Sequence, residues 1–116
     1  MGFYSLRVYE KSYRLALEIY EDTKSMPKEE LYGLTSQIRR ASTSIPANIA
    51  EGYGRKVNVT EYHRYLTMAK GSCYEMMVWI NFCTDTGYMN EVWRQKMLEN
   101  YDEIAHMLYG LMQTNP

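Results

Sequence analysis

The chain has 116 residues, of which 46% are hydrophobic and 23% are charged. This balance is typical of a folded globular protein and argues against intrinsic disorder. Only 7 glycines and 3 prolines occur, too few for the frequent turns of a β-sandwich or β-barrel. The net charge of −1 creates no overall field that would attract nucleic acid or an anionic membrane. We therefore expect a single helical domain over residues 1–116.

Four segments with helical periodicity predict α-helices over approximately residues 5–25, 28–52, 59–86 and 90–113. In the first, Tyr9, Tyr13, Ala16 and Tyr20 recur at spacings of four and three. This spacing predicts that the tyrosine stripe faces the core. The helices are long and their loops are short, which favours an antiparallel up-down-up-down four-helix bundle. An α-solenoid is the alternative, but the chain has no internal repeat.

The second segment carries an apolar seam that a polar residue continues. The seam comprises Leu31, Leu34, Ile38, Ala41 and Ile45, followed by Asn48. Pro46 lies inside this pattern and predicts a kink. We expect Asn48 to be a buried amide that pairs with the backbone carbonyl released near the proline, with ligand binding as the alternative. Glu51 is expected to cap or pair rather than to catalyse, and Gly52 and Gly54 to end the helix.

The third and fourth segments have the most regular seams. Asn58 and Glu61 resemble a capping box at the start of the third helix. Tyr65, Ser72 and Trp79 form a second stripe at a spacing of seven residues, so we expect two faces of that helix to be covered. The two predicted core stripes are Tyr62, Leu66, Ala69, Cys73, Met76, Ile80 and Cys83, and then Trp93, Met97, Tyr101, Ile104, Leu108 and Leu111.

Gly71 lies in the middle of the third helix, where glycine is unfavourable by about 1 kcal/mol relative to alanine. An antiparallel hairpin centred near Lys56 places Gly71 opposite Ala41, which predicts a close backbone approach there. The same register brings Glu75 near Arg39 or Arg40. We therefore expect a partly buried ion pair, whose disruption would cost about 3–5 kcal/mol.

The only basic bias in the chain lies on the second helix and its exit loop, at Arg39, Arg40, Arg55 and Lys56. Because guanidinium groups match phosphate oxygens, these cations are candidate contacts for a nucleic acid. The alternative is a set of ion pairs within the helix or between subunits.

No sequence pattern predicts catalysis. The chain has no Gly-rich phosphate loop, CxxC motif or supported Ser-His-Asp set. Glu103 and His106 have the spacing of a di-iron helix motif, but no second motif accompanies them. We expect no metal, no cofactor and no enzymatic activity, and we expect Trp79 and Trp93 to anchor a subunit interface.

The two cysteines and the apolar pattern bear on location. Cys73 and Cys83 would lie about 15 Å apart on one helix, which excludes an internal disulfide. No apolar run reaches the roughly 18 residues that a membrane span requires, and no secretory signal is recognisable. We therefore expect a cytoplasmic protein with reduced, buried cysteines and no membrane contact.

Three blocks of sequence carry a resemblance to a known family. Residues 34–52 read LTSQIRRASTSIPANIAEG, residues 61–75 read EYHRYLTMAKGSCYE, and residues 86–89 read TGYM. In this order they resemble the four-helix-bundle proteins encoded in intervening sequences of bacterial 23S rRNA genes. The structural motif positions in the first two blocks are Ala41, Pro46, Asn48, Glu51, Gly52, Gly71, Ser72 and Glu75.

The resemblance implies a left-handed bundle assembled into a homopentameric ring. The family is similar to the accessory protein of diversity-generating retroelements, a strongly basic pentamer that engages a reverse transcriptase and RNA. This chain differs from those proteins in its net charge of −1. We predict a non-enzymatic oligomeric interaction scaffold with RNA or a nucleoprotein as its candidate client. The alternative is a structural or protein-binding helical ring without nucleic-acid contact.

Overall fold

The computed structural model describes residues 2–114, which form four α-helices and contain no β-strand. The all-α class is therefore confirmed, and none of the helices in this range is long and apolar enough to cross a membrane. Short 3₁₀ turns precede and follow the first helix, and another lies before the second. The helices are α1 (Arg7–Asp22), α2 (Leu34–Gly54), α3 (Val59–Asp85) and α4 (Glu91–Met112).

The second helix begins six residues later than residue 28, the start predicted from the sequence. Residues 28–33 form a 3₁₀ turn and a hydrogen-bonded turn, and Leu31 is exposed rather than part of the seam. Gly33 has φ −117° and ψ −110°, outside the helical region. The Glu30 carboxylate accepts a hydrogen bond from the Leu34 amide at 3.2 Å, which satisfies one of the free N–H groups at the start of α2.

The core face predicted for α1 is wrong at Tyr13 and Tyr20, which are 48% and 50% exposed, as is the neighbouring Leu17 at 53%. Ala16 of the same predicted stripe is buried, and Tyr9 is half-buried. The buried stripe includes two polar residues, so the apolar pattern alone does not reveal it. Their hydroxyls donate to backbone carbonyls of α1, which allows them to be buried. Ser12 donates to Tyr9 and Thr23 donates to Ile19. The buried residues of α1 are Val8, Ser12, Leu15, Ala16 and Ile19.

The seam of α2 ends on Ile49 instead of Asn48. Ile49 is fully buried, whereas Asn48 is half-buried. The Asn48 amide donates to the carbonyl of Ser44 at 2.9 Å. The expected partner was a carbonyl released by Pro46, which is that of Ser42 four residues before the proline. The predicted pairing is therefore wrong, and α2 continues through Pro46 to Gly54.

The core stripe predicted for α3 is confirmed at all seven positions. In α4, the four central positions of the predicted stripe are buried, and its end positions Trp93 and Leu111 are half-buried. The second stripe of α3, at Tyr65, Ser72 and Trp79, is half-buried, so the second face is partly covered. Asn58 caps α3 by accepting a hydrogen bond from the Glu61 amide.

The close approach between α2 and α3 lies at Gly52, not at Gly71. A methyl group on Gly52 would lie 2.9 Å from Tyr65 Cβ and 3.3 Å from the Tyr62 carbonyl oxygen. Gly71 is exposed, and a methyl group there would contact nothing within 4 Å. The neighbouring residue Ser72 faces α2 instead, and Ser44 donates to its hydroxyl at 2.7 Å. One residue is about 100° of helix rotation, which is enough to turn Gly71 toward solvent.

Two hydrogen bonds connect the α1–α2 turn region, from Asp22 to Glu30, with the α3–α4 turn region, from Tyr88 to Trp93. The Trp93 indole N–H donates to Asp22 at 2.9 Å, and the Tyr88 hydroxyl donates to Glu30 at 2.9 Å. The bond to the Glu30 carboxylate also raises the pKa of Tyr88. These contacts place both turns at one end of the helices.

Both cysteines are free and fully buried in the core. Burial raises the pKa of Cys73 to about 12 and that of Cys83 to about 11. Burial also raises the pKa of Tyr101, whose hydroxyl has no hydrogen-bond partner within residues 2–114. The thiols are therefore protonated at neutral pH, because a charged thiolate would be poorly solvated there.

Replacing Gly52 with alanine should destabilise the protein, although alanine is the better helix former. The methyl group would push α3 away from α2, and such overpacking typically costs about 1–3 kcal/mol. Gly71→Ala is the matched control, and it should stabilise by up to about 1 kcal/mol. Urea unfolding of both variants measures the difference. Equal stabilisation by the two substitutions would contradict the close contact at Gly52.

The core thiols predict an alkaline loss of stability. The folded pKa values of Cys73 and Cys83 lie above the unfolded value of about 8.5. Each protonated thiol therefore makes its full contribution to the free energy of unfolding below pH 8.5. As the pH rises toward 11–12, the free energy of unfolding falls by at most about 1.4 kcal/mol per pH unit for each thiol. Urea unfolding between pH 8 and 10 should show this slope, and Cys73→Ala should reduce it. An unchanged slope in that variant would contradict the assignment.

Candidate interaction surfaces

The four predicted cations do not form one patch. Arg39 and Arg40 lie in the first half of α2, whereas Arg55 and Lys56 follow its last residue. Fifteen residues of helix separate Arg40 from Arg55, which corresponds to about 22 Å along the axis. The two pairs must therefore be considered separately.

Arg39 holds the end of α1. Its guanidinium donates to the Thr23 hydroxyl at 2.9 Å and to the Tyr20 carbonyl at 3.1 Å. It also lies 4.2 Å from the centroid of the Tyr20 ring. A cation at the C-terminal end of a helix interacts favourably with the helix dipole. Within residues 2–114, no carboxylate forms an ion pair with Arg39.

Arg40 forms the ion pair expected between α2 and α3. Its guanidinium donates to the Glu75 carboxylate at 2.7 Å, and the Trp79 indole N–H donates to the same oxygen at 2.9 Å. The side chains of Arg40 and Glu75 are 59% and 33% exposed. This pair is more open than expected, so its contribution is about 1 kcal/mol or less rather than the 3–5 kcal/mol of a buried pair.

The second pair of cations interacts locally. Arg55 contacts the Glu51 carboxylate at 3.3 Å, which agrees with the expectation that Glu51 pairs. The Lys56 ammonium lies 4.0 Å from the centroid of the Tyr53 ring. Arg39, Arg40 and Arg55 thus already have partners within the chain, and a phosphate group would have to displace or share them.

An apolar groove lies between α1 and α2. Its volume is about 440 Å³, and none of the described residues that line it is charged. Tyrosine rings and small residues of both helices line it. We call it the α1/α2 groove, and it comprises Phe3, Tyr9, Tyr13, Ala16, Leu17, Tyr20, Thr43, Pro46, Ala47 and Ala50.

An apolar ridge lies on the outer side of α3. Tyr74, Val78 and Phe82 are 51%, 59% and 52% exposed, and they follow one another at intervals of four residues. We call these three residues the α3 ridge. Side chains at this spacing lie on the same face of a helix, so the ridge projects as a unit.

Trp79 and Trp93, the predicted interface anchors, are only partly accessible to another subunit. Trp79 and Trp93 are half-buried, and their indole N–H groups donate to Glu75 and Asp22 within the chain. Sequence reasoning missed the exposed aromatic residues because it placed the α1 tyrosines in the core. The sequence signal that could have identified the buried face is a second stripe with the same spacing, which contains Ser12 and Thr23.

A polar cleft of about 400 Å³ lies between α1 and α4. Its charged groups pair with one another: Lys11 lies 3.5 Å from Glu103, and Lys96 lies 2.5 Å from Glu18. Glu103 and His106, the residues with di-iron spacing, are both exposed. In the part of the chain that the structure describes, no three metal-binding side chains come together.

Comparison with known proteins agrees with the resemblance of the sequence blocks. A protein of unknown function from the S23 ribosomal protein family of Bacteroides thetaiotaomicron has a similar solved structure, with a TM-score of 0.83 at 25% sequence identity. The match covers 92% of this chain and 96% of that chain. No curated protein is significantly similar to the chain. The model of the 23S rRNA-intervening sequence protein family matches residues 4–110, and the chain therefore belongs to that family.

Proposed function

We propose that this protein is a non-enzymatic scaffold that associates with itself. The α1/α2 groove and the α3 ridge carry this proposal, because a monomeric soluble protein rarely leaves large apolar patches in contact with water. Aromatic residues are also enriched in protein interfaces, and both surfaces are rich in them. The family resemblance supports a homopentameric ring as the assembled form, in the cytoplasm and without membrane contact.

The proposed subunit is one left-handed, antiparallel up-down-up-down bundle over residues 1–116. The contacts between α2 and α3 support the antiparallel order, because Arg40 pairs with Glu75 and Ser44 with Ser72. Residue numbers thus rise along one helix as they fall along the other. The hydrogen bond between Asp22 and Trp93 supports the same order for the remaining helices. The handedness rests on the family resemblance.

The state of the polar groups supports a non-enzymatic role. Most of the charged side chains of the α1/α4 cleft form ion pairs with one another. The buried thiols have raised pKa values, and a protonated thiol is a poor nucleophile. Neither group is therefore prepared for acid–base or nucleophilic chemistry.

The geometry supports a protein-binding ring more strongly than a nucleic-acid surface. Arg39 holds α1, Arg40 pairs with Glu75 and Arg55 pairs with Glu51. The two ion pairs reduce the positive charge that a phosphate group would experience at Arg40 and Arg55, and a phosphate group at Arg39 would have to compete with its contacts to Thr23 and Tyr20. Nucleic-acid contact at Arg39, Arg40, Arg55 and Lys56 is therefore the competing proposal, with RNA or a nucleoprotein as the client.

The native mass in solution tests self-association. Five copies of the 13.7 kDa chain would give about 68.5 kDa. We expect light scattering coupled to size-exclusion chromatography to give this mass at micromolar concentration. A mass of 13.7 kDa at all concentrations would contradict the scaffold.

Salt-dependent RNA binding distinguishes the two proposals. We expect a mixed-sequence single-stranded RNA to bind too weakly to show the steep salt dependence of phosphate contacts. Binding should also be the same for the Arg55→Ala/Lys56→Ala double variant, which leaves the contacts of Arg39 and Arg40 intact. A steep salt dependence in the wild type that becomes shallower in the double variant would favour nucleic-acid contact.

A further inference from the structure

The two apolar surfaces differ in shape and lie on different helices. The α1/α2 groove is concave and uncharged, with small residues such as Ala16, Ala47 and Ala50 in its lining. The α3 ridge is convex and presents two aromatic rings and one valine. From this complementarity we infer that the α3 ridge of one copy docks into the α1/α2 groove of the next. This inference rests on the proposed self-association and assigns the surfaces that produce it.

Docking of a helix into an apolar groove is a common mode of protein recognition, in which residues at helical spacing fill the groove. Tyr74, Val78 and Phe82 provide such a set, because their spacing of four residues places them on one face of α3. The groove is lined by Tyr13 and Tyr20, each about half exposed. Aromatic side chains on both surfaces can therefore be desolvated together.

Charge complementarity supports a second copy as the occupant. Beside Tyr20 of the groove, Arg39 carries a positive charge that no carboxylate within residues 2–114 neutralises, whereas Lys24, which lies 5.5 Å from the same ring, is already paired with Glu21. Asp85 follows Phe82 by three residues and is 67% exposed. One oxygen of Asp85 accepts from Arg94 at 2.8 Å, which leaves the other oxygen for a further donor. With Phe82 beside Tyr20 of the next copy, Asp85 approaches Arg39.

The proposed interface is heterologous, because it joins two different surfaces. Each copy then offers one groove and one ridge, and repetition of the same contact produces a closed ring or an open filament. A subunit that provides both halves of the contact needs no other protein to cover them. This is the reason to choose a second copy over an unrelated helical partner.

Two single variants test the assignment of surfaces. Phe82→Glu places a charge on the ridge, and Ala47→Glu places one in the groove. Both positions are exposed in helices, so the fold should persist, and far-UV circular dichroism with urea unfolding checks this. Val92→Glu, at a residue that is 78% exposed on α4 and outside both surfaces, is the matched control. We expect the control to keep the oligomeric mass and both test variants to give 13.7 kDa.

Mixing the two test variants adds a sharper readout. The Phe82→Glu chain retains its groove and the Ala47→Glu chain retains its ridge, so one intact interface forms between them. The mixture should therefore give a heterodimer of about 27 kDa and no larger species. A mixture that stays monomeric, or a test variant that keeps the oligomeric mass, would overturn the docking of ridge into groove. A monomeric wild type would instead overturn the proposed function itself.

The charge pair has its own test. Asp85→Asn removes the proposed partner of Arg39, whereas Glu91→Gln removes another carboxylate that binds Arg94 within the same chain. We expect Asp85→Asn to weaken self-association several-fold at low ionic strength, and Glu91→Gln to leave it unchanged. Equal effects of the two variants would overturn the contact between Asp85 and Arg39.

Discussion

The contact of α3 with the backbone of α2 at Gly52 determines the rest of the arrangement. Because Gly52 has no side chain, Tyr65 approaches the α2 backbone more closely than it could if any other residue occupied position 52. This approach fixes the rotation of α3 and its register against α2. The register in turn aligns Ser44 with Ser72 and Arg40 with Glu75. A single position without a Cβ atom thus coordinates a row of contacts along both helices.

The exposed apolar surfaces follow from the same rotation. With its regular stripe turned inward, α3 directs Val78 and Phe82 away from the core. On α1, Ser12 and Thr23 occupy buried positions because their hydroxyls bond to carbonyls of their own helix. The tyrosines are thereby moved to the outer edge, where they border α2 and form the groove. The surfaces that we propose for assembly are therefore consequences of how the core is filled.

The sequence predicts the buried face well where one apolar stripe runs the full length of a helix. In α3 an unbroken stripe of seven residues identifies that face, even though Tyr74, Val78 and Phe82 lie outside it. In α1 two stripes share the same spacing, and the aromatic one was the wrong choice. The start of α2 depends on the Gly33 conformation and on Glu30 capping, which periodicity does not reveal. The Arg40–Glu75 pair follows from the antiparallel register, whereas the partners of Arg39 and the groove itself depend on helix rotation and could not be predicted from spacing.

Energetic magnitudes favour protein contact over phosphate contact on this surface. A phosphate group at Arg40 or Arg55 would replace an existing exposed ion pair, and the exchange of such pairs changes the free energy by about 1 kcal/mol or less. Burial of the exposed half of one aromatic ring such as Phe82, roughly 100 Å², contributes about 2–3 kcal/mol. The groove and the ridge each carry at least two half-exposed aromatic rings. Before the cost of association, which is about 4–15 kcal/mol, burial of these rings in the proposed interface therefore offers a larger favourable contribution than the exchange of exposed ion pairs.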